Sequence, residues 1–374
     1  MPSNLRLYVR LPNWVGDVCM SLPSLYALQA TGLPLTICAR PWARDLLAGV
    51  VPAGAPAGVA PAGVAGAGVA HAHDFVPMRG AFRADRAALR QQLRDSGARG
   101  RDCRGLSLPD SLSSAAVLRL AGIPTAGYRD DGRSLLLRWP IDKPKPPLHA
   151  VQSWYHLTRT ALTSWELPAG AEQPAPELGL TPTAEQVTAA DAALAAVGLT
   201  DDGGAPDSVA PGGAASDSVI RGANIRPFVL IAPTATGLHR GRIKVWPHFD
   251  ALTRKLQAQG IEVVMCPPPA EVDEARRNAP TARLLPALGL GAFAALTTRA
   301  ALVVCNDSGV SHVAAAAGAR QITLFGVTNR ERTGPWSRTA ICLGSDQHWP
   351  AVSDVEPVVK TCLESSGQSA RFTD

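Results

Sequence analysis

Cysteine is scarce and scattered. Cys19, Cys38, Cys103, Cys266, Cys305, Cys342 and Cys362 are odd in number, far apart, and form no Cys-x-x-Cys pair. This argues against a disulfide framework or a zinc cluster and for reduced, mostly buried thiols in a cytoplasmic protein. No Walker sequence, kinase-type glycine loop or Gly-x-Gly-x-x-Gly is present, so phosphoryl transfer and nicotinamide chemistry lose ground. A charged start followed by an apolar signal core is missing too, because residues 5–11 are short and interrupted by Arg6 and Arg10. The one long uncharged run, 46–70, carries Pro52, Pro56 and Pro61 with six glycines, and a membrane-spanning helix is not written that way. Strong charge of one sign is also lacking. A net +5 over 374 residues suits anionic ligands at most and excludes a nucleic-acid coat.

What is present fits a globular α/β protein. Hydrophobic residues make up 46% of a chain long enough for two domains with separate cores. The segment 301–326 reads as a βαβ unit: an apolar strand, the turn Asp307-Ser308-Gly309, a small-residue helix closed by Gly318, and a second strand. Such units hold ligands at the carboxyl ends of their strands, where Asp307, Ser308 and His312 fall before or within a helix start. Plain helix capping by Asp307 or Ser308 uses the same residues. Near the N-terminus the pattern repeats. Residues 5–11 read as a strand, and 12–17 as a turn into a helix over 18–30, with Asp17 as a cap or a cleft-facing carboxylate. A strand at 33–39 and a helix at 41–47 follow, which argues for a parallel sheet.

Residues 51–70 repeat Pro-Ala-Gly and read as a low-complexity loop. Residues 79–104 hold eight arginines against Asp85, Asp95 and Asp102, and Phe82, Leu89 and Leu93 predict an amphipathic helix with a basic face. In 106–122 a strand end and helix again place Asp110, Ser111 and Ser113 at the same edge. A strand is expected at 135–139, a linker at 143–147, and a helix over 149–167 on which His156 is packed. Residues 201–226 form a second low-complexity stretch suited to an inter-domain linker. The second half opens with a strand at 228–232, then a polar loop bearing Arg240, Arg242 and Lys244, a helix at 248–259 and a strand at 261–266. The expected division is 1–168, a connecting region 169–226, 227–350, and a C-terminal helix and tail at 351–374.

Two α/β domains leave a cleft between the carboxyl edges of their sheets, with Asp17 on one side and Lys244, Arg240 and Arg242 on the other. A carboxylate opposite a phosphate-binding wall suits group transfer from a phosphorylated donor to a hydroxyl. Four segments carry a resemblance in order along 5–336: Asn13-Trp14-Val15-Gly16-Asp17 with Met20-Ser21-Leu22; Leu108-Pro109-Asp110-Ser111 with Ala121-Gly122-Ile123-Pro124; Lys244-Val245-Trp246-Pro247; and Asn306-Asp307-Ser308-Gly309 with His312-Val313-Ala314-Ala315-Ala316. Together they resemble the ADP-heptose:lipopolysaccharide heptosyltransferases of glycosyltransferase family 9, the heptosyltransferase II branch in particular.

That resemblance implies a GT-B fold, two Rossmann-like domains facing an inter-domain cleft, and inverting transfer without metal or other cofactor. ADP-heptose is the co-substrate and the anionic lipopolysaccharide inner core the acceptor. Asp17 matches the general base and Lys244 the lysine at the donor diphosphate. Asp307, Ser308 and Gly309 match the donor-binding turn, with His312, Arg242 and Glu271 also on the donor side and Asn13, Trp14, Asp110 and Ser111 on the acceptor side. Pro267-Pro268-Pro269 departs from the family's glycine-containing turn, which leaves Glu271, Asp273 and Glu274 as alternatives for the acidic donor contact. Cys19 replaces a larger apolar residue. The basic segment 79–104 would draw the protein to the cytoplasmic face of the inner membrane as a peripheral protein. Rival readings are a transferase with a protein acceptor, against which the scattered cysteines argue, and a non-catalytic glycolipid-binding homologue, against which Asp17, Lys244 and Asp307 argue together.

Overall fold

The structure, a computed structural model, describes residues 5–50, 73–130, 132–200, 225–239 and 241–369. The low-complexity tract 51–70, most of 201–226 and Arg240 lie outside the described residues.

Strands β1 (Arg6–Arg10), β2 (Leu35–Ala39), β3 (Asp74–Pro77), β4 (Cys103–Ser107), β5 (Thr125–Tyr128) and β6 (Trp139–Ile141) form a parallel sheet in the order β3-β2-β1-β4-β5-β6. Helices α1 (Val15–Met20), α2 (Leu22–Gln29), α3 (Ala43–Leu46), α4 (Phe82–Asp95), α5 (Leu112–Ala121) and α6 (Ala150–Ser164) accompany it, and α7 (Ala184–Ala195) follows. A second parallel sheet is built from β7 (Phe228–Ala232), β10 (Glu262–Met265), β11 (Arg283–Leu284), β12 (Leu302–Asn306), β13 (Gln321–Phe325) and β14 (Ala340–Gly344). Its order is β11-β10-β7-β12-β13-β14. The antiparallel pair β8 (Leu238–His239) and β9 (Arg242–Ile243) stands apart. Helices α8 (Phe249–Gln257), α9 (Val272–Asn278), α10 (Leu290–Arg299), α11 (Gly309–Ala316), α12 (Arg330–Thr333) and α13 (Val352–Ser369) complete the second half.

Strands β7, Phe-Val-Leu-Ile-Ala, and β12, Leu-Val-Val-Cys-Asn, are buried at every residue, as central parallel strands covered on both faces must be. Ser111 caps α5 by accepting from the Ser114 N–H, and Gly122 ends it at φ 100°. The βαβ unit at 301–326 forms as expected from sequence, while the helix expected over 18–30 is two helices. The chain breaks at Ser21 because Pro23, in the first turn of α2, has no N–H to continue the ladder. Residues 135–139 are not a strand: a 3₁₀ turn, Arg133–Leu135, comes first and β6 starts only at Trp139. On α4 the buried positions are Asp85, Leu89 and Leu93, and Phe82 faces solvent. His156 stacks on Tyr128, with ring centroids 6.5 Å apart.

Both halves share one apolar cluster, which runs from Val9, Ile37 and Leu106 through Val18 and Leu25 to Leu230, Val303 and Val313. Polar ties reinforce it. Asp45 on α3 accepts from the Gly291 N–H at the start of α10 (3.0 Å) and from Gln186 Nε2 on α7 (3.0 Å). In each sheet the strand order reverses at a central pair, β1/β4 and β7/β12, and ligands of such sheets bind outside the carboxyl ends there. Among the described residues no helix is long and apolar enough to cross a membrane.

Candidate active site

The carboxyl edges of the two sheets meet through α1 and α11. Each helix follows a central strand after a short turn, so their N-termini bring the two halves together at one point. Gly16 packs on His312 so closely that a Cβ on Gly16 would lie 2.4 Å from His312 Cδ2. A Cβ on Gly309 would lie 3.3 Å from the Cβ of Val15. Asp17 follows Gly16 in the first turn of α1, half-buried. Burial alone pushes its carboxyl up to about 6, because a desolvated carboxylate disfavours its charged form. His312 is buried, and desolvation, then His149 and Lys244, push its pKa down to about 4. It is therefore neutral at pH 7, and its Nδ1 has no hydrogen-bond partner.

In the second half, Asp307 is buried at the end of β12 and its N–H donates to the Leu324 carbonyl at 3.2 Å. Ser308 caps α11 by accepting from the Val310 N–H at 3.4 Å. Lys244 is half-buried after β9, near enough to His312 for its charge to depress the imidazole. Among the three acidic candidates on the β10–α9 segment, Glu271 is the one that lines a cavity of about 190 Å³, with Thr234, Cys266, Phe293, Gly309 and, from the first half, Val15. Thr234 Oγ1 donates to Glu271 Oε2 at 2.5 Å, which fixes the carboxylate at the cavity wall.

Other sequence candidates have structural partners. Arg242 donates to the carbonyls of Asp346 (3.1 Å) and Gly326 (3.0 Å), pinning the β8–β9 hairpin to the second sheet. Asp110 pairs with Arg133 (3.1 Å) and Lys143 (2.7 Å), and Lys143 also holds Asp130 (2.5 Å). Asn13 Oδ1 accepts from Arg10 Nη2 at 2.5 Å, while Trp14 is 72% exposed at the cleft edge.

Sequence reasoning assigned no role to Asn306, although it opens the Asn-Asp-Ser-Gly motif. Fully buried, it accepts from the Trp246 N–H (2.8 Å) and donates to the carbonyls of Ala232 and Thr234 (3.2 Å each). One amide thus ties the loop that carries Lys244 to the end of β7 and to the threonine that holds Glu271. Its only signal in the sequence is a polar residue closing an all-apolar strand. Asn306→Ala leaves three buried backbone groups unpaired, each worth about 1–3 kcal/mol, so a loss on the order of 3 kcal/mol is expected in denaturant melts. Unchanged stability would show that the tie is dispensable.

Comparison with known proteins gives the family and the fold. The model of glycosyltransferase family 9 (heptosyltransferase) matches residues 86–361. Lipopolysaccharide heptosyltransferase 3 of Escherichia coli is 32% identical over 124 residues, 30% of this chain and 35% of the relative, so the match spans about a third of that protein. The structure of Escherichia coli ADP-heptose LPS heptosyltransferase II superposes with a TM-score of 0.66 at 22% identity, covering 98% of this chain and 100% of that one. Escherichia coli heptosyltransferase WaaC, solved with ADP-2-deoxy-2-fluoro heptose, gives 0.62 at 19% identity, covering 96% and 99%. At such identities the structural likeness speaks for the fold, which is the two-domain α/β GT-B architecture. With the family model matching well over half of its length, the chain belongs to glycosyltransferase family 9, the heptosyltransferases.

Proposed function

We propose that this protein is an inverting, metal-independent glycosyltransferase that moves a heptose from ADP-heptose to the inner core of lipopolysaccharide, with Asp17 as general base. The observation that carries the reading is the position of Asp17. A half-buried carboxylate held at about 6 stands where the acceptor-side helix α1 packs on the donor-side helix α11. In a single displacement the acceptor hydroxyl attacks the anomeric carbon as its proton passes to Asp17. The bond to the diphosphate breaks on the opposite face, so the centre inverts. A base with a pKa near 6 is ionised at neutral pH yet basic enough to take that proton as the new bond forms.

The leaving ADP gains negative charge, and Lys244 with the N–H groups at the start of α11 supplies the compensating positive field. The cavity lined by Phe293 and Glu271 is the place we assign to the base and ribose, with Glu271 accepting from ribose hydroxyls. Calorimetric titration of ADP, UDP and GDP into chelator-treated protein tests the donor half. ADP is expected to bind selectively, and Lys244→Ala to weaken it about tenfold or more, the worth of one charge-assisted hydrogen bond. Selective UDP binding, or an unaltered affinity in Lys244→Ala, would reject the donor assignment. Transfer of heptose to purified inner-core acceptor with chelator present tests the rest. The protein would act in the cytoplasm, attached peripherally to the inner membrane through its anionic glycolipid acceptor.

A further inference from the structure

Arg10 is the last residue of β1 and is only 5% exposed. Its guanidinium donates to the carbonyls of Leu11 and Cys38 and to Asn13 Oδ1, and among the described residues it forms no ion pair with a carboxylate. Arg40, half-buried, directly follows β2 and lies close enough to repel Arg10. The Arg40 guanidinium rests on the turn after β3, where its Nη1 would be 3.2 Å from a Cβ on Gly80. Asp85 is the carboxylate whose charge acts on Arg10, and its two oxygens accept from the N–H groups of Arg79 (2.8 Å) and Gly80 (2.9 Å). Burying one cation beside another costs stability that nearby anions offset; Asp85 supplies one such charge, and the three arginines at this edge can take a second.

The sheet order sets these groups side by side. Strands β3, β2 and β1 are neighbours, with Arg10 opposite Cys38 and Cys38 opposite Val76. At about 4.8 Å between strands, their three carboxyl ends span roughly 10 Å. Arg10, Arg40 and Arg79 therefore converge on one stretch of the acceptor-side edge, and Asn13 links Arg10 to the loop that leads into Asp17. We propose that Arg10 and Arg40, with Arg79 at the rim, form an anion subsite that takes a phosphate or carboxylate group of the sugar acceptor and so sets its hydroxyl against Asp17. Planar guanidinium forks match both kinds of oxyanion, and Arg10, fixed by its own hydrogen bonds, holds this edge pre-organised while the half-buried Arg40 reaches the ligand.

The acceptor part of this inference rests on the transferase reading, and the anion subsite itself can be tested without it. Arg40 is the residue to change, because Arg10 is built into the fold and Arg40 is half-exposed. Methyl phosphate and glucuronate are titrated separately into protein saturated with ADP, which occupies the donor site. The wild type is expected to bind one equivalent of one or both anions, the tighter one telling phosphate from carboxylate. Arg40→Ala should weaken that binding ten- to a hundredfold, while Arg119→Ala, a remote surface change on α5, should leave it alone. In the transfer assay Arg40→Ala should raise the acceptor KM by a similar factor and lower kcat as the hydroxyl loses its setting against Asp17, with the donor KM within about twofold of the wild type. No anion binding in the wild type, or equal binding in Arg40→Ala, overturns the subsite even if heptose transfer is confirmed. If transfer fails while the anion binding is lost in Arg40→Ala, the subsite stands and the transferase reading falls.

Discussion

Asp17→Asn is expected to lower kcat by about a thousandfold, within the range of a lost general base, while raising stability at neutral pH. The two effects share one cause. Burial raises the folded-state pKa of Asp17 to about 6, above its ordinary value, so the folded protein holds the proton more tightly than the unfolded chain. A raised carboxyl pKa favours folding only when the group is protonated. The penalty is absent below about pH 4, grows as pH rises toward 6, and is complete above it. By linkage it amounts to about 2–3 kcal/mol, and asparagine, which never ionises, is free of it. Thermal melts should therefore show Asp17→Asn more stable than wild type at pH 7.5, with the difference vanishing near pH 4. The wild-type kcat/KM should fall with one proton below about pH 6, because only the carboxylate can accept from the acceptor. A variant as active as wild type would remove Asp17 from the chemistry. One that is inactive and also unable to bind ADP would point to a damaged fold instead.

The parts legible in sequence were those where local pattern and long-range packing agree. The buried runs of β7 and β12 are apolar throughout because both faces are covered, and the turn after β12 stands out against them. The rule that parallel sheets bind ligands at their carboxyl ends then put Asp17, Asp307 and Ser308 at one cleft. The strands β3, β11 and β14 escaped notice because none is buried along its whole length, and β5 because Thr-Ala-Gly-Tyr is not an apolar run. The partners of Arg242 and Asp110 were equally hidden. Gly326, Asp346, Arg133 and Lys143 lie far from them in sequence, so no spacing could reveal that these side chains already serve the fold. Arg10 was read only as an interruption of an apolar strand, and its meaning came from Arg40 and Asp85 on other elements.

Gly16→Ala is the smallest change expected to disable the protein. The added methyl would sit 2.4 Å from His312 Cδ2 and 3.1 Å from Cγ, and no real Cβ tolerates the first distance. His312 cannot readily retreat, since it is buried on α11 between Val313 and Ser311, both buried as well. The strain must then be relieved by moving α1 from α11, which separates Asp17 from the Asp307-Ser308-Gly309 turn. A displacement of about 1 Å at a reacting centre costs on the order of a hundredfold in rate, so kcat should fall by at least that factor. ADP affinity should change less than kcat, because apart from the Val15 wall of the cavity the groups proposed to hold it lie on the second sheet and its loops. His312→Ala in the same chain removes the ring that the methyl strikes. Recovery of kcat in Gly16→Ala/His312→Ala, relative to Gly16→Ala alone, would show that helix separation is the cause. If the single variant keeps full activity, the tight seating of α1 on α11 is not what aligns the base with the donor.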